Sequence, residues 1–263
     1  MQAHTPTPLI SMRGISKSFA GIRALHDVDL DIYPHEVLGI VGDNGAGKST
    51  LIKVLNGVHI PETGTIELEG KPISIDHPDT ARQLGIETVY QDLALVGTFD
   101  LASNFFLGRE LFKHYLGGLI RVLDRPRMRQ IAEQVIRERV GLNIGNPYNP
   151  ALVMSGGQRQ AVAIGRALYA EARLVIMDEP TAALGVEEQE KVLEIIRNLK
   201  AQGITLIVIS HNLEHVFQVA DRIAVMHSGT VSAVRHTREA TKAEIVGLIM
   251  GTDLRQEASH ISR

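Results

Sequence analysis

At 263 residues the chain fits one large domain or two small ones, and can bury most of the surface its unfolded form exposes. With 44% hydrophobic and 22% charged residues the balance is ordinary globular, and a formal net charge of −3 excludes the basic stripe that nucleic-acid binding uses. The absence of cysteine excludes disulfides and thiolate zinc sites and is compatible with a reducing cytosol.

In chain order, residues 1–13 contain His4, Thr5, Pro6, Thr7 and Pro8 and no long apolar core, so they do not read as a signal peptide. Residues 9–14 and 28–32 read as short strands around an irregular segment holding Phe19. Residues 37–41 read as a buried strand entering a glycine loop, and 48–56 as a helix with Leu51, Ile52 and Leu55 at helical spacing. Thr63-Gly64 and Glu69-Gly70 bracket a hairpin strand at 65–68. Between about 92 and 151 strands vanish from the pattern. There Met128, Ile131 and Val135 mark one face of a helix started by Asp124 and Pro126, and Gly141 and the Asn/Pro-rich 143–150 end the helical region. Ser155 is placed to cap a helix running to Tyr169. A strand at 174–177, a helix at 187–202 with Val192, Ile196 and Leu199 inward, a stop at Gly203 and a strand at 204–209 follow. Continuously apolar strands alternating with helices predict an α/β fold with a parallel sheet covered on both faces, carrying a helical insertion. The longest apolar stretches, 37–41 and 204–209, are too short to span a bilayer, so any service to a membrane would come from its surface.

Three stretches carry chemistry. Gly42-Asp43-Asn44-Gly45-Ala46-Gly47-Lys48-Ser49, followed by Thr50, matches the phosphate-binding pattern G-x-x-x-x-G-K-[ST] between a strand and a helix. Its glycines let backbone N–H groups curl around phosphate oxygens, and side chains at Gly45 or Gly47 are expected to block that approach. Lys48 adds a cation for the β- and γ-phosphates, and Ser49 a hydroxyl for Mg²⁺. Asp178 and Glu179 close an apolar strand. An acidic pair before Pro180-Thr181 also suits a helix cap, but after a buried strand in a chain with this loop the catalytic reading is favoured. Asp178 then holds Mg²⁺, usually through water, and Glu179 orients or deprotonates the attacking water. Ser155-Gly156-Gly157-Gln158 offers free N–H groups, a hydroxyl and a helix dipole, all of which favour an anion. His211 and His215 stand at zinc-helix spacing, but Asn212 occupies the place of the general base, so a metalloprotease is not read here.

Taken in this order, the three stretches resemble the ATP-binding cassette (ABC) ATPases from about residue 9 to 251. The resemblance implies a P-loop NTPase (RecA-like) fold: a mostly parallel core with an antiparallel β subdomain and a helical insertion. It places the nucleotide-binding core with its β subdomain at about 9–91 and 172–240, the helical subdomain at 92–171, and tails at 1–8 and 252–263. It implies ATP and Mg²⁺ as ligands, with Ser155–Gln158 reaching the ATP held by a second copy's loop. Gln91 matches a glutamine that reaches Mg²⁺ and the attacking water. His211 matches a histidine that contacts the γ-phosphate, and Phe19 holds the place of an aromatic stacked on adenine. Met154 replaces a leucine common before the Ser-Gly-Gly-Gln run, a volume-conserving change. Gly185 stands where many relatives carry an aspartate and cannot supply that carboxylate to the facing subunit, so the usual link between the two ATP sites does not carry over.

Residues 85–91, 107–110 and 180–186 are similar to the monosaccharide importer branch, and most of all to its single-cassette fructose-type ATPases. This implies a peripheral subunit on the cytoplasmic face of the inner membrane. It would act as a homodimer on integral permease subunits, with a periplasmic sugar-binding protein as an indirect partner and no nucleic acid. A soluble ABC ATPase acting on nucleic acid or the ribosome is the alternative; the coiled-coil insertions, paired cassettes or basic arms it would carry are not seen. A P-loop kinase leaves 155–158 unexplained. The aromatics Tyr90, Phe99, Phe105, Phe106, Phe112 and Tyr115 crowd one stretch, either as a satellite core or as a groove for a partner helix. Adjacent helical residues point in different directions, so one of Phe105 and Phe106 is expected in the core and the other as a partner anchor.

Overall fold

A computed structural model describes residues 7–252. The chain starts with a long hairpin, β1 (Ile10–Phe19) and β2 (Ile22–Ile32), followed by β3 (Val37–Gly42), α1 (Lys48–Leu55), β4 (Thr63–Leu68) and β5 (Lys71–Ile73). In space, β2, β1, β4 and β5 lie side by side in one antiparallel sheet. The expected irregular segment around Phe19 is therefore strand on both sides of a tight turn. Register shifts at Met12/Ile15, Ile15/Lys17 and Lys17/Ser18 mark bulges, and Asp27 sits at φ 48°. Each shift breaks the two-residue alternation by which a strand is read from sequence.

After α2 (Pro78–Gln83) and β6 (Ile86–Val89) comes α3 (Leu101–Phe105), capped by Asp100, whose Oδ1 accepts the Ser103 N–H at 2.8 Å. Strands do not vanish here as the sequence suggests. β7 (Phe112–Tyr115) and β8 (Ile120–Leu123) form a separate two-stranded ribbon, turned over Leu116–Gly118. Its side chains are exposed, Leu119 by 87%, so no inward-outward alternation announces it. α4 (Arg125–Val135) starts at Asp124 as expected, runs on into a wider turn over Ile136–Val140, and stops at Gly141 at φ 80°. α5 (Gly156–Tyr169) follows. Helix α3 touches both α4 and α5. With both flanks covered, Phe105 and Phe106 are each buried, at 2% and 0% exposure, and meet Tyr169 with ring centroids 5.7 and 5.1 Å away. The expectation that one of them is an exposed anchor is therefore wrong: a helix of five residues wedged between two others has no free face.

The rest alternates β9 (Leu174–Asp178), α6 (Val186–Ala201), β10 (Thr205–Ile209), α7 (Leu213–Val219), β11 (Arg222–His227), β12 (Thr230–His236) and α8 (Lys242–Ile249). Six strands form the central sheet in the order β12-β11-β3-β10-β9-β6, parallel except for β12. Successive residues divide between two cores. Val37, Val41, Val175, Met177, Leu206 and Val208 face the helices, while Leu38, Ile40, Leu174, Ile176, Ile207 and Ile209 face α1 and the antiparallel sheet. Burial on both faces is what makes these strands read as unbroken apolar runs. Among the described residues no helix is long and apolar enough to cross a membrane. The tails assigned to 1–8 and 252–263 lie almost wholly outside the described residues.

Candidate active site

β3 and α1 are joined by the glycine loop at the end of the sheet where the parallel strands deliver their carboxyl ends. Gly47 precedes α1 at φ 102°, and no side chain caps the helix, so its first N–H groups are left for an anion. The two glycines expected to clear space for phosphate differ. A Cβ at Gly45 meets nothing within 4 Å, whereas one at Gly47 would come 2.7 Å from the Ala24 carbonyl oxygen of β2. Gly47 is thus required by the protein's own fold as well. Lys48 folds back over the loop, its Nζ donating to the Gly42 and Asp43 carbonyls at 2.7 and 2.9 Å. Burial pulls the Lys48 pKa down, opposed by Glu179, Asp43 and Asp178.

A cavity of about 430 Å³ brings together Asn44, Gly45, Gly47, Lys48, Ser49, Thr50, Gln91, Asp178 and Glu179. Gly42, Asp43 and the buried Ala46 form the loop behind it. Asp178 ends β9 beside Ile209 of β10. Burial and the neighbouring Glu179 push its pKa up, against the pull of Lys48 and Lys53. Ser49 hydroxyl, Gln91 amide and Asp178 carboxylate are hard oxygen donors of the kind Mg²⁺ takes alongside phosphate.

Glu179 lies in the left-handed region at φ 50°, an uncommon conformation for a non-glycine residue. Its amide donates to the Ile209 carbonyl at 2.9 Å. Its Oε1 accepts the His211 backbone N–H at 3.1 Å, and its Oε2 lies 2.9 Å from His211 Nδ1. The carboxylate is mostly covered and the imidazole mostly exposed. His215, the other histidine of that segment, is engaged with Thr181 Oγ1 at 2.9 Å and Asn212 Nδ2 at 3.3 Å.

Phe19 does not itself line this cavity, although it pairs across the β1–β2 turn with Ile22, which does. Its ring is tilted against His59, centroids 4.8 Å apart, with Lys17 Nζ 5.6 Å away. The rim is lined instead by Ile22, Arg23 and Ala24, just past the β1–β2 turn, which sequence reasoning missed because they carry only an ordinary strand pattern. Ser155 caps α5 as expected: its Oγ accepts the Gln158 N–H at 3.2 Å and Gln158 Oε1 accepts the Ser155 N–H at 2.9 Å. None of Ser155, Gly156, Gly157 and Gln158 lines the cavity of the glycine loop. Gly156 lines an adjoining cleft that also reaches Gln91 and Glu179, while Ser155, Gly157 and Gln158 open on another, beside Asn143 and Glu194. Glu188 was also missed. Its Oε1 accepts the Gly156 N–H at 2.8 Å from 32 positions further along the chain.

The family model described as ABC transporter matches residues 25–182, more than half of the chain. The fructose import ATP-binding protein FrcA of Rhizobium meliloti is 44% identical over 245 residues, covering 93% of this chain and 94% of its own. The xylose/arabinose import ATP-binding protein XylG of Sulfolobus acidocaldarius is 40% identical over 237 residues, covering 90% and 92%. A nucleotide-free ATP-binding cassette from an ABC transporter superimposes with a TM-score of 0.75 at 27% identity, covering 93% of this chain and 95% of that one.

Proposed function

From the premise that this chain belongs to the ABC transporter ATPase family, we propose that it hydrolyses ATP to energise import of a monosaccharide, of the fructose or ribose kind, across the cytoplasmic membrane. The names of the relatives support the cargo class. In this reading residues 9–91 and 172–240 form the nucleotide-binding core and 92–171 the helical arm. The protein sits peripherally on the cytoplasmic face, docked on integral permease subunits, and a periplasmic sugar-binding protein delivers the cargo from the far side. We assign the permease to the cleft beside Gln91 that is lined by Arg82, Glu87, Tyr90, Asp92, Arg109 and Arg166.

The N–H groups of the glycine loop and the Lys48 ammonium hold the β- and γ-phosphates. Ser49, Gln91 and, through water, Asp178 would hold Mg²⁺, which would neutralise charge on the phosphates. Glu179 aligns a water and takes its proton as the water oxygen bonds to the γ-phosphorus. The bond from that phosphorus to the bridging oxygen breaks, and ADP leaves with the electron pair. His211 keeps the Glu179 carboxylate aimed through its backbone N–H and Nδ1, and we assign its Nε2 to the γ-phosphate.

The observation that carries the two-copy arrangement is the separation of Ser155–Gln158 from the cavity of their own glycine loop. In this reading a second copy completes each site. With Mg-ATP, phosphate release by dilute protein should rise more steeply than linearly with concentration. Mixing a Lys48→Ala copy with a Ser155→Arg copy, each inactive alone, should restore activity from one intact site per mixed dimer. Mixed dimers that form but stay inactive would count against the arrangement.

A further inference from the structure

Gly156 has a neighbour that the phosphate-binding role does not explain. A Cβ there would come 2.3 Å from Leu184 Cδ2 and 2.8 Å from Glu188 Oε2, both of its own chain. At Gly157 the nearest atom would be 3.9 Å away. At the first glycine of the run the segment behind Glu179 thus packs closely against α5, where a side chain would have to displace the ends of Leu184 and Glu188, and the second keeps the open face.

That segment is a short bracket. The Ala182 N–H donates to the Glu179 carbonyl at 3.1 Å, Ala183 turns the chain at φ 57°, and Gln189 Nε2 donates to the Leu184 carbonyl at 3.0 Å. Glu188 fastens the bracket to α5. One carboxylate oxygen accepts the Gly156 N–H at 2.8 Å and the other accepts the Gly185 N–H at 3.4 Å. Burial raises the Glu188 pKa, but the N–H groups of Gly185, Gly156 and Gly157 and the Ser155 hydroxyl outweigh it, leaving the carboxyl below its usual range. An anion thus already stands at the N-terminus of the helix that lends itself to the other copy's ATP, held there by the segment that starts at this copy's Glu179.

We propose that Glu188 is the positioning residue that holds Ser155–Gln158 in register for the opposite ATP, tying that helix to the Glu179 segment. The inference rests on the two-copy reading. Loss of the Glu188 carboxylate would leave the glycine loop intact but let the N-terminus of α5 drift from the partner's phosphate.

Mixed dimers with a single complete site test this, because they separate the copy that lends α5 from the copy that binds ATP. Glu188→Ala placed on the Lys48→Ala copy, which lends α5, should lower kcat roughly tenfold, in the range of couplings between sites, with KM for ATP held. The same change placed on the Ser155→Arg copy should leave the rate unaltered. Glu188→Gln on the lending copy keeps a carbonyl acceptor for Gly156 N–H and should restore most of the rate. Equal losses from both placements, accompanied by a lower melting temperature, would reduce Glu188 to a general brace and overturn the proposal, as would no loss from either. If the parental mixture itself is inactive although mixed dimers form, the two-copy reading fails and takes this inference with it. An active mixture indifferent to Glu188 sinks this inference alone.

Discussion

Glu179→Gln is expected to cut ATP turnover by about a hundred- to ten-thousand-fold, the usual worth of a positioned proton acceptor, while ATP still binds. The substitution is nearly isosteric. A glutamine carbonyl still accepts the His211 N–H now held at 3.1 Å, and the left-handed backbone at φ 50° is not asked to change. What disappears is a group able to take the water proton. Lys48, Ser49 and Asp178, which share the cavity, are untouched, so nucleotide contacts persist. On the two-copy proposal, copies closed on ATP would then have no route to reopen through hydrolysis. Phosphate release measures the first effect, and size-exclusion chromatography with and without Mg-ATP the second, as a dimer that appears only with nucleotide. Full phosphate release by the variant refutes the assignment of Glu179. Lys48→Ala should differ in kind, since losing a charge-assisted phosphate contact weakens binding itself.

Phe106→Ala should destabilise the protein by about 3–5 kcal/mol, the range for emptying an aromatic from a core, and lower the melting temperature by on the order of 10 °C. Phe106 has no exposed surface, and its ring stands edge-on to Tyr169 at 5.1 Å and tilted to Phe105 at 5.2 Å. α3, α4 and α5 meet around these three rings, so the cavity left behind cannot collapse without moving a helix. Phe105→Ala should behave alike. Phe112→Ala is the contrast. That ring is 38% exposed and covered on one side by the Arg121 guanidinium at 4.3 Å, and its loss should cost no more than about 0.5 kcal/mol. Scanning calorimetry on the three variants decides. A Phe106 variant that melts with the parent would mean the rings do not hold the helices together.

Much of the fold is legible in the sequence because it is written in contiguous runs. The unbroken apolar stretches that become β3, β9 and β10 are buried on both faces, and Ser155 and Asp124 cap the helices they precede. The loop 42–49 and the pair Asp178-Glu179 fall on one cavity because β3 and β9, both parallel to the β10 that separates them, end at the same edge of one sheet. Other parts were hidden for identifiable reasons. Bulges in β1 and β2 scramble the alternation of a strand. The β7–β8 ribbon has no buried face to alternate with. Five residues of α3 are too few for a period, so the directions of Phe105 and Phe106 could not be read. Glu188 looked like one more charge at a helix start, and only the fold brings it to Gly156 across 32 positions.

The ribbon between α3 and α4 leaves and re-enters the body at nearly one point. The Asp124 N–H donates to the Leu111 carbonyl at 2.8 Å, while Asp124 itself still caps α4 through the Arg127 N–H at 3.2 Å. Everything beyond that closure projects outward and touches neither core. This is therefore the place where the chain can lengthen, shorten or change composition over generations without the ATP chemistry registering the difference.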